Sequence, residues 1–146
     1  MLARCLLMSV LVSLAAAAEE PADTEKFQGT WTVSLMEKRG EKQPEEKLKD
    51  LRVVIAGDAM CFKMGGQDGE RATIKLDPSK TPKAIDLQPA TPGRNETRPS
   101  LGIYELKDDT LKLCWRKEGG ERPTEFATKA DDRDLVLMIL KREKKD

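Results

Sequence analysis

The chain contains no histidine. That absence removes Ser-His and Cys-His nucleophile systems, the usual general base near neutral pH and the commonest zinc ligand. Only Ser34, Ser79 and Ser100 follow residue 18, and none sits in a G-x-S-x-G elbow. The acidic clusters Asp108-Asp109 and Asp131-Asp132-Asp134 lack the alternating D-x-D-x-D-G loop and distant glutamate of a calcium site, so they read as hairpin turns. Paired carboxylates for glycoside chemistry stay open, since their spacing is spatial rather than sequential. The expectation is a non-enzyme, with no cofactor and no metal.

A basic excess is also missing. Lys and Arg number 26 and Asp and Glu number 26, interleaved as in "EKRGEKQPEEKLKD". A nucleic-acid partner needs a basic stripe, and only the closing "KREKK" offers one, which reads as part of a solvated tail. Long apolar runs are absent except near the start, where "CLLMSVLVSL" is too short to span a bilayer. With Arg4 before it and "AAAA" after it, this run reads as a signal peptide over residues 1–18, cleaved before Glu19. The expected organisation is a leader at 19–26, one β domain at 27–143 and a charged tail at 144–146. Export to the periplasm or the extracellular space follows, with no stable membrane span after cleavage.

What the remainder does have is alternation. "FQGTWTVSLME" sets Trp31, Val33 and Leu35 on one face and Thr30, Thr32 and Ser34 on the other. "PEEKLKDL" is the one credible helix, near residues 44–50, with Pro44 at its start and acids in its first turn. From Leu51 onward "LRVVIA", "AMCFKM", "RATIKL", "AIDL", "LGIYEL", "TLKLCW", "TEFAT" and "DLVLMILKR" read as short strands, with Gly57-Asp58 and "GGQDGE" as turns. In "KLDPSKTPKAIDLQP" the prolines bracket one short strand, and Pro89 ends it at an edge or break of the sheet. No crossover helix separates the strands, which argues against a parallel sheet. The fold expected is all-β, an antiparallel meander closing into a barrel, with a β-sandwich as the alternative.

Taken in order, "QGTWTV", "DPSKTPKAIDL", "LGIYEL", "DTLKLCW", "ERPTEF" and "LVLMILKRE" resemble a family of small uncharacterised exported domains typical of planctomycete bacteria. That resemblance implies no established activity. The chain is also similar to lipocalin-like proteins, whose first strand carries G-x-W and whose last strand ends near an arginine that packs on the tryptophan. Gly29-Thr30-Trp31 and Arg142 occupy those places. The resemblance implies a structural role for Gly29, Trp31 and Arg142, sealing one end of a lipocalin-like barrel.

Alternation then sets Trp31, Met60, Phe62, Met64, Leu113 and Trp115 inward, a lining flexible enough to adapt to a guest. The expected function is binding of a small apolar or amphipathic ligand. The alternative is a structural or protein-interaction module of the cell envelope, with an envelope protein as partner and a filled core. Cys61 and Cys114 fall on the faces opposite the apolar sets, on strands that are not neighbours, so two free thiols are expected.

Overall fold

The computed structural model describes residues 23–90, 98–117 and 120–144. The expected signal peptide (1–18), residues 19–22 of the leader and residues 145–146 of the tail lie outside the described residues. The strands are β1 (Gly29–Lys38), β2 (Glu41–Lys42), β3 (Leu51–Ala56), β4 (Ala59–Met64), β5 (Gln67–Asp77), β6 (Lys83–Pro89), β7 (Ser100–Lys107), β8 (Thr110–Arg116) and β9 (Leu135–Arg142). All neighbouring pairs are antiparallel, and β3 to β9 meander in sequence order.

β1 closes the sheet on itself, pairing β3 through Gly29–Thr32 and β9 along almost its whole length. The result is an eight-stranded barrel, with β2 a two-residue return on the end of β1. One continuous closed sheet replaces the alternative of a two-sheet sandwich. Closure also satisfies the strand edges that an open meander would leave exposed.

Several local expectations change in physically instructive ways. β1 and β9 slip register between Val33 and Leu35, so Ser34 is an extra residue in the ladder. A bulge of this kind reverses the alternation beyond it. Met36 therefore packs with the interior cluster, and Leu35, expected inward, packs on the outside of the barrel. The "GGQDGE" turn contracts to Gly65-Gly66, whose φ values of 59° and 83° suit a two-residue hairpin, and β5 starts already at Gln67. "TEFAT" forms no strand. Once β9 has zipped onto β1 the sheet has no edge for it to join, and residues 120–134 instead cross the outer surface as an irregular strap.

The helix near 44–50 shrinks to α2 (Glu45–Leu48), with Pro44 just before its first turn, because the chain re-enters the sheet at Leu51. It buries Leu48 against the interior cluster. A second helical turn, α1 (Asp23–Phe27), lies across the expected boundary between leader and domain and buries Phe27 completely. The folded body thus begins at least as early as Asp23. In the proline-bracketed segment, Asp77 accepts hydrogen bonds from the Ser79 amide and hydroxyl, and β6 runs to Pro89. Pairing of β6 with β7 stops one turn of the pleat earlier, at Leu87 opposite Ser100, so Pro89 sits at the break in the sheet that its missing N–H requires.

Candidate functional site

The barrel has two unlike ends. At one, the chain enters through α1, and side chains from β1, β6 and β7 hold Asp23 and Phe27 of that entry. Trp31 Nε1 donates to the Phe27 carbonyl at 2.9 Å, and the Phe27 ring meets Tyr104 edge to face with centroids 5.0 Å apart. Asp23 accepts from the Tyr104 hydroxyl at 2.6 Å and from Lys83 Nζ at 3.0 Å. Gln28 and Gly57 exchange two hydrogen bonds, at 2.8 and 2.7 Å.

Arg142 completes this end. Its guanidinium lies 4.3 Å from the centroid of the Trp31 indole, donates to the carbonyls of Lys26 and Gln28, and reaches Asp109 Oδ1 at 3.2 Å. The structure therefore brings Trp31 and Arg142 together. Gly29 adopts φ 121°, and a Cβ there would stand 3.3 Å from Arg142, so a side chain would crowd the guanidinium.

The titratable groups at this end act as fasteners. Burial raises the Asp23 carboxyl, but the hydrogen bonds from Tyr104 and Lys83 and the lysine charge outweigh it, leaving the group below its ordinary value. Burial and then the bond to Asp23 push the Tyr104 phenol far above its ordinary range. Asp23 stays ionised and Tyr104 stays neutral at any ordinary pH, an arrangement that ties α1 down.

At the opposite end the interior-facing side chains Met36, Phe62 and Trp115 are only partly buried. Trp115 stands against Gly102, where a Cβ would come within 2.8 Å of the Trp115 Cβ and 2.7 Å of the Cys114 carbonyl oxygen. The glycine in "LGIYEL" is thus a packing requirement of the tryptophan across the ladder.

Of the six expected lining residues, Trp31, Met60 and Leu113 are completely enclosed, and Phe62 and Trp115 border them. Met64 is not part of the lining. It is the last residue of β4, immediately before Gly65-Gly66, and is 52% exposed. Alternation gave its direction, but the strand projects past the rim of the barrel. Between the two ends the interior is occupied by Tyr104, Met60, Ile85, Leu111, Leu113, Met138 and Leu140, each 1% exposed or less. An eight-stranded barrel is just narrow enough for side chains to fill it.

Two open depressions lie outside the barrel. One is lined by Lys129 and residues 131–134 of the strap, the other by Gln28–Thr30, Val54, Asp109 and residues 142–144 beside the sealed end. Among the described residues no group of three or more Cys, Asp or Glu side chains is gathered as a metal site. No helix among them is long and apolar enough to cross a membrane.

Among the described residues, Cys61 and Cys114 are both free. Cys61 on β4 and Cys114 on β8 are separated by three strands whichever way one goes around the barrel. A disulfide needs Cα atoms within about 7 Å, so none can form without taking the barrel apart. Intact-mass measurement of residues 19–146 under denaturing, non-reducing conditions should give the fully reduced mass. A mass lower by two hydrogens, restored by reductant, would contradict the strand order. Cys114 is outward-facing as expected, yet it is fully buried, because the strap lies over it. Burial pushes its thiol up.

Comparison with known proteins finds no matching family model, no matching curated protein and no matching solved structure.

Proposed function

We propose that this chain is an exported, non-enzymatic, lipocalin-like barrel with a filled interior, working through its outer surface as an interaction module of the cell envelope. The observation that carries this reading is the occupied lumen: Trp31, Met60 and Leu113, the centre of the expected lining, are 1% exposed or less and pack on one another's neighbours. A guest there would have to displace core side chains, at about 2–5 kcal/mol for each large one removed from its packing. The absence of histidine supports the non-catalytic part of the reading. The N-terminal apolar run supports export, and the ordered motifs support placing the chain with the planctomycete-type exported domains.

A second reading is favoured by one specific feature. Met36, Phe62 and Trp115 are only partly buried at the end opposite α1, an apolar rim on which a small apolar or amphipathic molecule would bind shallowly. Titration of the mature protein with a medium-chain fatty acid and with a hydrophobic reporter dye, following tryptophan emission, separates the two. The filled-module reading expects no saturable change. Saturable quenching that Phe62→Asp abolishes, with the thermal midpoint retained, would place the ligand reading first.

A further inference from the structure

Outside the barrel a second apolar cluster forms from Leu35 on β1, Ile103 on β7, Cys114 on β8 and Leu135 and Leu137 on β9, with Phe126 of the strap packed on it. The residues beneath are thoroughly covered: Ile103 is 1% exposed, Cys114 0% and Leu135 4%. The strap that covers them is different in kind. Of residues 121–134 only Pro123 is buried, and the rest are half-buried or exposed.

Its attachment is different as well. Among the described residues, the backbone–backbone hydrogen bonds reaching residues 120–134 are Asp132 N to Lys129 O, inside the strap, and Lys117 N to Asp134 O, where it rejoins β9. Everything else is held by side chains. Arg122 donates to the carbonyls of Ile85 and Gly102 at 3.0 and 2.7 Å and to Asp86 Oδ1 at 2.6 Å, latching the strap across β6 and β7. Thr128 bridges Glu37 and the Gly40 amide at the far side, and Arg116 ties Glu121 and Asp132. The Arg122–Asp86 pair is about a third exposed on both sides, where an ion pair contributes little on its own.

We propose that residues 120–134 are a displaceable strap that opens without unfolding of the barrel and, when open, bares the outer apolar face together with the Cys114 thiol. An element held by a few side-chain contacts opens at lower free energy than strands laddered on both sides. In the closed state Cys114 Sγ points at the Ala127 carbonyl, 3.8 Å away, and its raised thiol is shielded from thiolate chemistry. The strap thereby controls both a second apolar surface and the reactivity of the one buried thiol described.

The test uses Cys61→Ser, which leaves Cys114 as the single thiol after residue 18, and follows its exchange with a chromogenic disulfide reagent at increasing low urea. Strap opening predicts labelling faster than global unfolding allows, with a shallow urea dependence. Adding Arg122→Ala should raise the rate roughly tenfold while tryptophan emission stays native, as expected for sub-global opening. Asp86→Asn should act in the same direction, which covers the case of an Arg122 variant that fails to fold. Labelling that follows the steep urea dependence of global unfolding, or that changes in either variant only as far as its global stability changes, would overturn the proposal.

Discussion

Replacing Arg142 with alanine should lower the thermal midpoint by about 8–15 °C and move the buried indole emission, because three kinds of contact vanish at once. The stack on Trp31 contributes about 0.5–2 kcal/mol. The two donations to the Lys26 and Gln28 carbonyls are charge-assisted and add about 1.5 kcal/mol each, net of the exchange with water. Those carbonyls belong to the turn that carries Phe27 into the core, so the loss loosens α1 as well as the end of β9. Arg142→Lys should recover only part of the effect, since an ammonium cannot stack as a plane and reach both carbonyls together. Scanning calorimetry and the emission spectrum decide the matter. An unchanged midpoint with unchanged emission would mean that the arginine decorates this end without sealing it.

Leu113→Ala should be at least as damaging. Leu113 is 1% exposed, its ladder partners are Tyr104 and Met138, and its side chain belongs to the interior cluster. Truncating a leucine so enclosed costs about 2–5 kcal/mol, and a barrel held rigid by a closed ladder relaxes little to shrink the void. That is a large part of the 5–15 kcal/mol typical of a whole domain, so chemical denaturation should show a much earlier midpoint. Met64→Ala is the contrasting variant. Sequence alternation gives Met64 and Leu113 the same inward standing, but the 52% exposure of Met64 predicts a change within about 0.5 kcal/mol. Equal losses at the two positions would restore Met64 to the lining.

The contrast shows how far alternation reaches. Period-2 patterning is a property of each strand, so the strands β3, β4, β7 and β8 and the inward direction of Met60, Leu113 and Trp115 were legible without the structure. The pairing of Gly29-Thr30-Trp31 with Arg142 was legible too, since a closing meander must bring the first strand to the last. Where a strand stops relative to the rim is a property of the whole barrel, and Met64 was misjudged for that reason. Leu35 was misjudged because a bulge at Ser34 leaves no mark in a single sequence.

The strap has its own signal in the sequence. "LVLMIL" in β9 does not alternate; Leu135, Val136, Leu137 and Met138 are all buried, which is the pattern of a strand covered on both faces. Read that way, the run requires a second layer outside the barrel, and residues 120–134 are the chain nearest to supply it. "TEFAT" has the propensity of a strand, but the closed barrel leaves no edge for it to join. α1 was hidden for a different reason: five residues carry too little pattern to announce a helix, and only the burial of Phe27 beneath Trp31 and Tyr104 explains it.

The filled lumen is tested most directly by xenon uptake, measured by NMR on residues 19–146 and on their Leu113→Ala variant side by side. Dry apolar cavities take up xenon, while a packed interior offers it no site. The native barrel should show no saturable xenon site, and the variant, given a void by the missing leucine, should gain one. Saturable uptake by the native protein, lost on refilling the interior with Val53→Leu, would show a hollow barrel and reverse the choice between interaction module and ligand carrier.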